Sequence, residues 1–330
     1  MEQTSTLWDA VGNTPLFYIR SLSEMTGCEI FGKAEFLNPG GSIKDRAAKG
    51  ILLEAEVSGK LSPGGVVIEG SAGNTAIGLA TLAAQRGYRT IFCLPNNQSI
   101  EKYQILRALG AELHLVEPCP FANPNHFYHV AGRLAKSTPY SLWADQFENT
   151  ANANVHYQTT GPEIWRQTQG HIDFITLAAG TGGTIAGISR FLKEQDPRIQ
   201  VVLADPAGSG LVSYLQHGTF ASQGSSVTEG IGIMRLTKNF SMAQIDDAWT
   251  ISDNEMMSMC YHLARCDGLF VGTSSALNCA SAYRLANKFK GQGKRIITML
   301  CDSGTRYLSR ILDPAWLEKN QITISRIGEE

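Results

Sequence analysis

The sequence predicts an α/β protein of two doubly wound, mainly parallel-sheet domains. Three observations carry that prediction: the length of the chain, the alternation of β-branched runs with helical patterns, and the glycine-rich loops that join strand to helix. At 330 residues the chain exceeds the usual size of one hydrophobic core. An N-terminal α/β domain is expected over residues 1–155 and a C-terminal one over 156–330, with part of residues 1–45 packing on the second.

The alternation starts near residue 64. Val66 to Gly70 reads as a strand ending at a glycine, and Asn74 to Arg86 as an alanine- and leucine-rich helix. Strands at 90–95, 111–117 and 173–180 lead to helices through Tyr103 to Leu109, near His126 to Lys136, and from Gly183 to Lys193. Further strands are expected at 199–206 and 295–300. Alternation of this kind implies right-handed βαβ crossovers and parallel sheets covered on both faces, whose ligands bind beyond the carboxyl ends of the strands. Ser222 to Gly232 is rich in Gly and Ser and reads as a mobile loop; residues after Lys319 are expected to be poorly ordered.

Composition removes several classes of function. Hydrophobic residues make up 43% and charged residues 18%, as in an ordinary globular protein. The 28 basic and 30 acidic residues are dispersed, leaving no electrostatic footprint for nucleic acid or anionic lipid. The N-terminal stretch lacks a basic region followed by an apolar run, and no segment is apolar for long enough to cross a bilayer, so a cytoplasmic protein is expected. Seven scattered cysteines without a C-x-x-C pair, and seven scattered histidines, suggest neither a disulfide framework nor a metal site.

Four strand-to-helix loops carry the chemistry. In the first, Asn38-Pro39-Gly40-Gly41 supplies turn residues and Ser42 an N-cap, which puts Lys44 in the first turn of a helix. The positive end of the helix dipole disfavours an ammonium there, so the amine is driven towards the neutral form that Schiff-base formation with an aldehyde requires. Taken alone, the same lysine also reads as a solvated surface side chain. In the second, Gly180-Thr181-Gly182-Gly183-Thr184 follows an apolar strand and opens a helix, which suits a phosphate cradle of backbone N–H groups and hydroxyls, or a tight turn serving packing. It lacks the ending of a nucleotide P-loop and the spacing of a dinucleotide fingerprint. In the third, Ser71-Ala72-Gly73-Asn74-Thr75-Ala76 offers amides and hydroxyls to a carboxylate and the Asn74 amide to a ring hydroxyl, with helix capping as the simpler alternative. In the fourth, Ser303 stands at the end of a strand, where its hydroxyl suits a pyridine nitrogen; the adjacent Asp302 and simple capping are the alternatives.

In this order, with Gly12-Asn13-Thr14-Pro15-Leu16, Asp145-Gln146-Phe147 and Glu229-Gly230-Ile231-Gly232, the motifs resemble the cysteine synthase and cystathionine β-synthase family of fold-type II pyridoxal-phosphate enzymes over nearly the whole chain. The resemblance implies a tryptophan synthase β-like fold with the pyridoxal 5′-phosphate site between two domains and closure of the smaller one. It implies that Lys44 holds the cofactor as a Schiff base and removes the α-proton, that Asn74 contacts the ring oxygen, that Gly180, Thr181, Gly182, Gly183 and Thr184 bind the phosphate, and that Ser303 meets the pyridine nitrogen. Ser71, Ala72, Gly73, Thr75, Gln146 and Gly230 are then the substrate-binding residues. A homodimer and a complex with serine acetyltransferase are implied in the same way.

The expected reaction is β-replacement, O-acetylserine and sulfide giving cysteine and acetate through an aminoacrylate. Two departures from the family pattern bear on it. Ala72 and Ala76 stand where the family has Ser and Gly, which motivates a cysteine desulfhydrase as the alternative. Arg235, near the expected site mouth, suits either an acidic substrate group or solvent. Cys301 replaces the family's proline before Asp302, and the role of Gly272 to Ala276 is open. A regulatory homologue that keeps the fold without catalysis is the remote alternative.

Overall fold

The computed structural model describes residues 6–98 and 100–328. Its strands, in chain order, are β1 Leu16–Tyr18, β2 Glu29–Ala34, β3 Val66–Gly70, β4 Arg89–Pro95, β5 Glu112–Val116, β6 Ser141–Trp143, β7 Phe174–Ala178, β8 Gln200–Pro206, β9 Asp247–Ile251 and β10 Arg295–Leu300. The chain divides into two compact units, one built from residues up to Gly12 with Asn38–His156, the other from Asn13–Leu37 with the chain from Tyr157 onward.

In the first unit four strands run parallel in the order β5-β4-β3-β6. The period of two sorts each strand between two covers. Val67, Phe92 and Leu94 pack against Ile51 and Leu52 of the helix Lys44–Val57 and Leu79 and Leu82 of the helix Asn74–Gln85. Val66, Ile68, Ile91 and Cys93 face Ala131 of the helix Phe127–Ser137. Gly78 brings the first two helices together, since a Cβ there would lie 3.0 Å from Asp45 Oδ1 and 3.2 Å from the Lys44 carbonyl oxygen.

The second unit holds a six-stranded sheet ordered β1-β2-β10-β7-β8-β9. All neighbours are parallel except β1 on β2, a departure from the parallel rule at the sheet edge. The helix Thr273–Lys288 is buried along most of its length against this sheet. Lys33 of β2 is fully buried and paired with Glu163 at 2.7 Å, its ammonium also donating to the Thr14 carbonyl and Gln167 Oε1, as a buried charge requires.

Two expectations change. The chain beyond Lys319 is docked rather than loose: Ile322 is buried, and the Thr323 and Ser325 N–H groups donate to Asn254 Oδ1 and Ser258 Oγ at 3.0 and 2.9 Å. Only Glu329 and Glu330 of that tail lie outside the described residues. The Ser222–Gly232 stretch is irregular but tethered, with the Ser226 hydroxyl and Val227 N–H on Asp253, Glu229 paired with Arg310, and the Gly232 N–H on the Ala179 carbonyl. No helix among the described residues is long and apolar enough to cross a membrane.

Candidate active site

In the first unit the turn before Lys44 is built by hydrogen bonds its residue types dictate. Gly41 adopts φ of +77°, and its N–H returns to the Asn38 carbonyl at 2.7 Å. The buried Asp45 carboxylate accepts from the Gly40 N–H at 2.5 Å, which anchors the turn to the helix it precedes. The helix starts at Lys44 rather than Ser42, yet Ser42 still does a cap's work: its Oγ accepts the Lys44 N–H at 3.2 Å and its carbonyl the Asp45 N–H. Lys44 is therefore the first helical residue, half-buried, at the positive end of a 14-residue helix.

The Ser71–Ala76 loop sits close by. Asn74 opens its helix one turn before Gly78, the residue seated against Lys44 and Asp45. Ser71 Oγ accepts the Gly73 N–H at 3.2 Å, and the buried Thr75 hydroxyl donates to Gln146 Oε1 at 2.6 Å. Ser71, Gly73, Thr75 and Gln146 thus gather beside Lys44 and Asn74. Ala76 is fully buried in the core cluster, so its methyl packs away from the loop, and Ala72 packs partly against the same cluster.

Two further residues, Glu69 and Tyr128, were not singled out from the sequence. Glu69 of β3 is fully buried, and Gln146 Nε2 donates to its Oε1 at 3.2 Å. Burial, and then the charge of Asp145, push its carboxyl up to about 8. The Tyr128 hydroxyl donates to Asp145 Oδ1 at 2.8 Å. The signal available was a lone acid in the apolar run Val-Val-Ile-Glu-Gly.

In the second unit β7 ends at Ala178, two residues before Gly180, and the helix Gly183–Gln195 points its first N–H groups into the turn. Gly182 has φ of +85°, and a Cβ there would lie 2.5 Å from Phe240; a Cβ on Gly180 would lie 2.1 Å from the Gly230 carbonyl oxygen. The turn needs glycine at both places, and Gly230 lies directly against it. Thr181 is buried, Thr184 half-buried, and the Thr237 hydroxyl donates to the Thr181 carbonyl at 2.8 Å, fixing the segment that carries the half-buried Arg235.

Strand β10 pairs in parallel with β7, so Ser303, just past β10, opens on the same sheet edge as the glycine turn. Asp302 is buried and accepts from the Tyr307 hydroxyl at 2.6 Å, whereas Ser303 is half-exposed, its Oγ accepting the Thr305 N–H at 3.2 Å. That favours Ser303 over Asp302 as the group offered to a ligand. The Gly272 to Ala276 run supports this end, because Ser275 Oγ accepts the Cys301 N–H at 2.8 Å.

Each unit carries groups that fit part of pyridoxal phosphate: in the second, a helix N-terminus with glycines that no Cβ replaces suits a dianionic phosphate and a neutral hydroxyl suits a pyridine nitrogen; in the first, a lysine at a helix head suits an aldehyde. Among the described residues no group of three or more His, Cys, Asp or Glu is arranged to hold a metal.

Comparison with known proteins agrees with that chemistry. The family described as pyridoxal-phosphate dependent enzyme matches residues 7–302. The chain is 47% identical to cysteine synthase 1 of Neurospora crassa over 96% of this chain and 85% of that one, and 46% identical to the cysteine synthase of Dictyostelium discoideum over 97% and 87%. Among solved structures it is similar to the O-acetylserine dependent cystathionine β-synthase of Helicobacter pylori, with a TM-score of 0.83 and 35% identity, covering 94% of this chain and 99% of that one. Fold, cofactor chemistry and relatives agree, and the chain belongs to the cysteine synthase and cystathionine β-synthase family of fold-type II pyridoxal-phosphate dependent enzymes.

Proposed function

We propose that the protein is a cysteine synthase that converts O-acetylserine and sulfide into cysteine and acetate. The observation that carries the reading is Lys44 at the first position of its helix, beside an Asn74 loop whose Thr75 is already bonded to Gln146. The relatives named cysteine synthase supply the substrate class.

When bound, pyridoxal phosphate supplies an aldehyde for the amino group and an electron sink for the α-carbon. Lys44 Nζ would hold that aldehyde, and its amine is the group that would take the substrate's α-proton. Asn74 would contact the ring oxygen, and the Gly180–Thr184 amides and hydroxyls would bind the phosphate. Ser303, a neutral hydroxyl, would leave the pyridine nitrogen unprotonated, which suits loss of a β-substituent. Ser71, Ala72, Gly73, Thr75 and Gln146 would orient the α-carboxylate, a role the resemblance also gives to Gly230.

The desulfhydrase alternative is not favoured: the relatives at 46–47% identity are named cysteine synthase, and of the two substituted alanines Ala76 is buried in the core. Product analysis tests the assignment. Purified holoenzyme given O-acetylserine and sulfide is expected to release cysteine and acetate in equal amounts; release of pyruvate and ammonia in place of cysteine would overturn it. Lys44→Ala is expected to lose the yellow of the bound cofactor and to slow turnover by about 10³-fold or more. We further propose a cytoplasmic homodimer that binds serine acetyltransferase. Sedimentation with and without the acetyltransferase reads the assembly.

A further inference from the structure

Glu69 has no part in the reaction as described, yet its surroundings are specific. Three of the four other residues of β3 are aliphatic, and its carboxyl is fully buried at the strand's carboxyl end. Oε1 accepts from Gln146 Nε2, the backbone N–H groups of Asp145 and Gln146 also donate to the carboxyl, and Oε2 has no hydrogen-bond partner. On its far side Gln146 accepts the Thr75 hydroxyl at 2.6 Å. The amide is therefore held at both ends, nitrogen towards Glu69 and oxygen towards Thr75.

We propose that Glu69 is a positioning residue for substrate: it fixes the Gln146 amide, and through it the Thr75 hydroxyl, so that the grip for an amino acid's α-carboxylate is set before the substrate arrives. The inference rests on the reading of Thr75 and Gln146 as that grip. A carboxyl suits the task only while it is uncharged, because an anion beneath an anion-binding loop would repel the ligand. The surroundings supply that condition. Burial and Asp145 push Glu69 up to about 8, so at neutral pH it carries its proton, with Oε2 the oxygen left for it. The groups that face it are Asp145 beyond β6, itself bonded by Tyr128 from the Phe127–Ser137 helix, and the Cys93 thiol of β4, which burial and Glu69 hold up at about 12. The two helices on Glu69's face of the sheet bring Thr75 and the buried charges Asp45 and Arg46.

The test is steady-state kinetics of the holoenzyme with O-acetylserine from pH 6.5 to 9, for the wild type, Glu69→Gln and Glu69→Met. The isosteric Gln keeps an acceptor for Gln146 and a donor where the proton sat, so at pH 7 its KM is expected within about twofold of wild type. The Met variant cannot orient the amide, and its KM is expected to rise about tenfold with kcat changed less than threefold, the size of one lost hydrogen bond. Above pH 8 the wild-type KM is expected to rise relative to that of Glu69→Gln; titration of the substrate amino group is common to both and cancels in the ratio. An unchanged KM in Glu69→Met, an equal fall in kcat and kcat/KM, or a constant ratio across pH 8 would overturn the proposal. Should Glu69→Met not fold, the pH ratio between wild type and Glu69→Gln decides alone. Melting of the two apoproteins adds a readout free of activity: between pH 6 and 9 the wild type is expected to lose stability relative to Glu69→Gln, and parallel curves would count against it. A wild type that makes no cysteine overturns the assigned function instead.

Discussion

Lys44 and Asp205 show how position sets the chemistry of a single side chain. Lys44 sits at a helix head, where the dipole opposes its charge. Asp205 is the penultimate residue of β8, its carboxyl buried; Oδ2 accepts the Val212 N–H at 3.3 Å, Oδ1 has no hydrogen-bond partner, and burial pushes the group from the usual 3.8 to about 6. The folded protein therefore binds this proton more tightly than the unfolded chain does. The resulting stability is fully present below pH 4 and is lost as pH rises through about 6. Asp205→Asn removes that dependence. Between pH 4.5 and 7.5 the wild type should lose on the order of 2 kcal/mol, a few degrees of Tm, relative to the Asn variant. Calorimetric scans of the two proteins at both pH values check this, and parallel melting curves would refute it.

At the scale of elements, the glycine turns separate conformational need from mere permission. Gly182 combines φ of +85° with a Cβ position 2.5 Å from Phe240, so Gly182→Ala has to move the 240 segment or the helix head. We expect it to cost about 2 kcal/mol or more in urea unfolding and to weaken cofactor binding by at least tenfold, read by absorbance titration. Gly73 has φ of −107° and open space around it, so Gly73→Ala should hold stability to within about 0.5 kcal/mol. The contrast also explains what the sequence disclosed. The Gly180–Thr184 turn, the Lys44 turn and strands β3, β4, β7, β8 and β10 were legible because local residue types specify them: apolar β-branched runs, then glycine or an N-cap. Strands β1 and β6 are three residues long and β2 carries Glu29 and Lys33, so neither length nor periodicity marks them. Glu69 and Ser275 escaped for another reason. Their roles come from partners 77 and 26 residues away, a proximity that only the parallel crossovers create.

For the whole molecule, the threading of the chain makes the second unit depend on a segment that interrupts the first. Residues 13–37 enter it as β1 and β2, and β10 pairs with β2 over all six residues from Arg295–Glu29 to Leu300–Ala34. The segment also contributes Ile19, Leu22 and Ile30, each fully buried, worth roughly 1.5–3 kcal/mol apiece, and Lys33, whose loss leaves the buried Glu163 uncompensated. Those losses match the whole stability of an ordinary domain. A fragment of residues 157–330 is therefore expected to lack a cooperative urea transition, to bind a hydrophobic dye, and to associate through the bared edge of β10. A permuted chain that appends residues 13–37 after residue 328 through a flexible linker should recover a single sharp transition. Equal cooperativity in the bare fragment would mean that β2 is a dispensable edge; recovery confined to the permuted chain would show that this fold cannot be cut into sequence-contiguous halves.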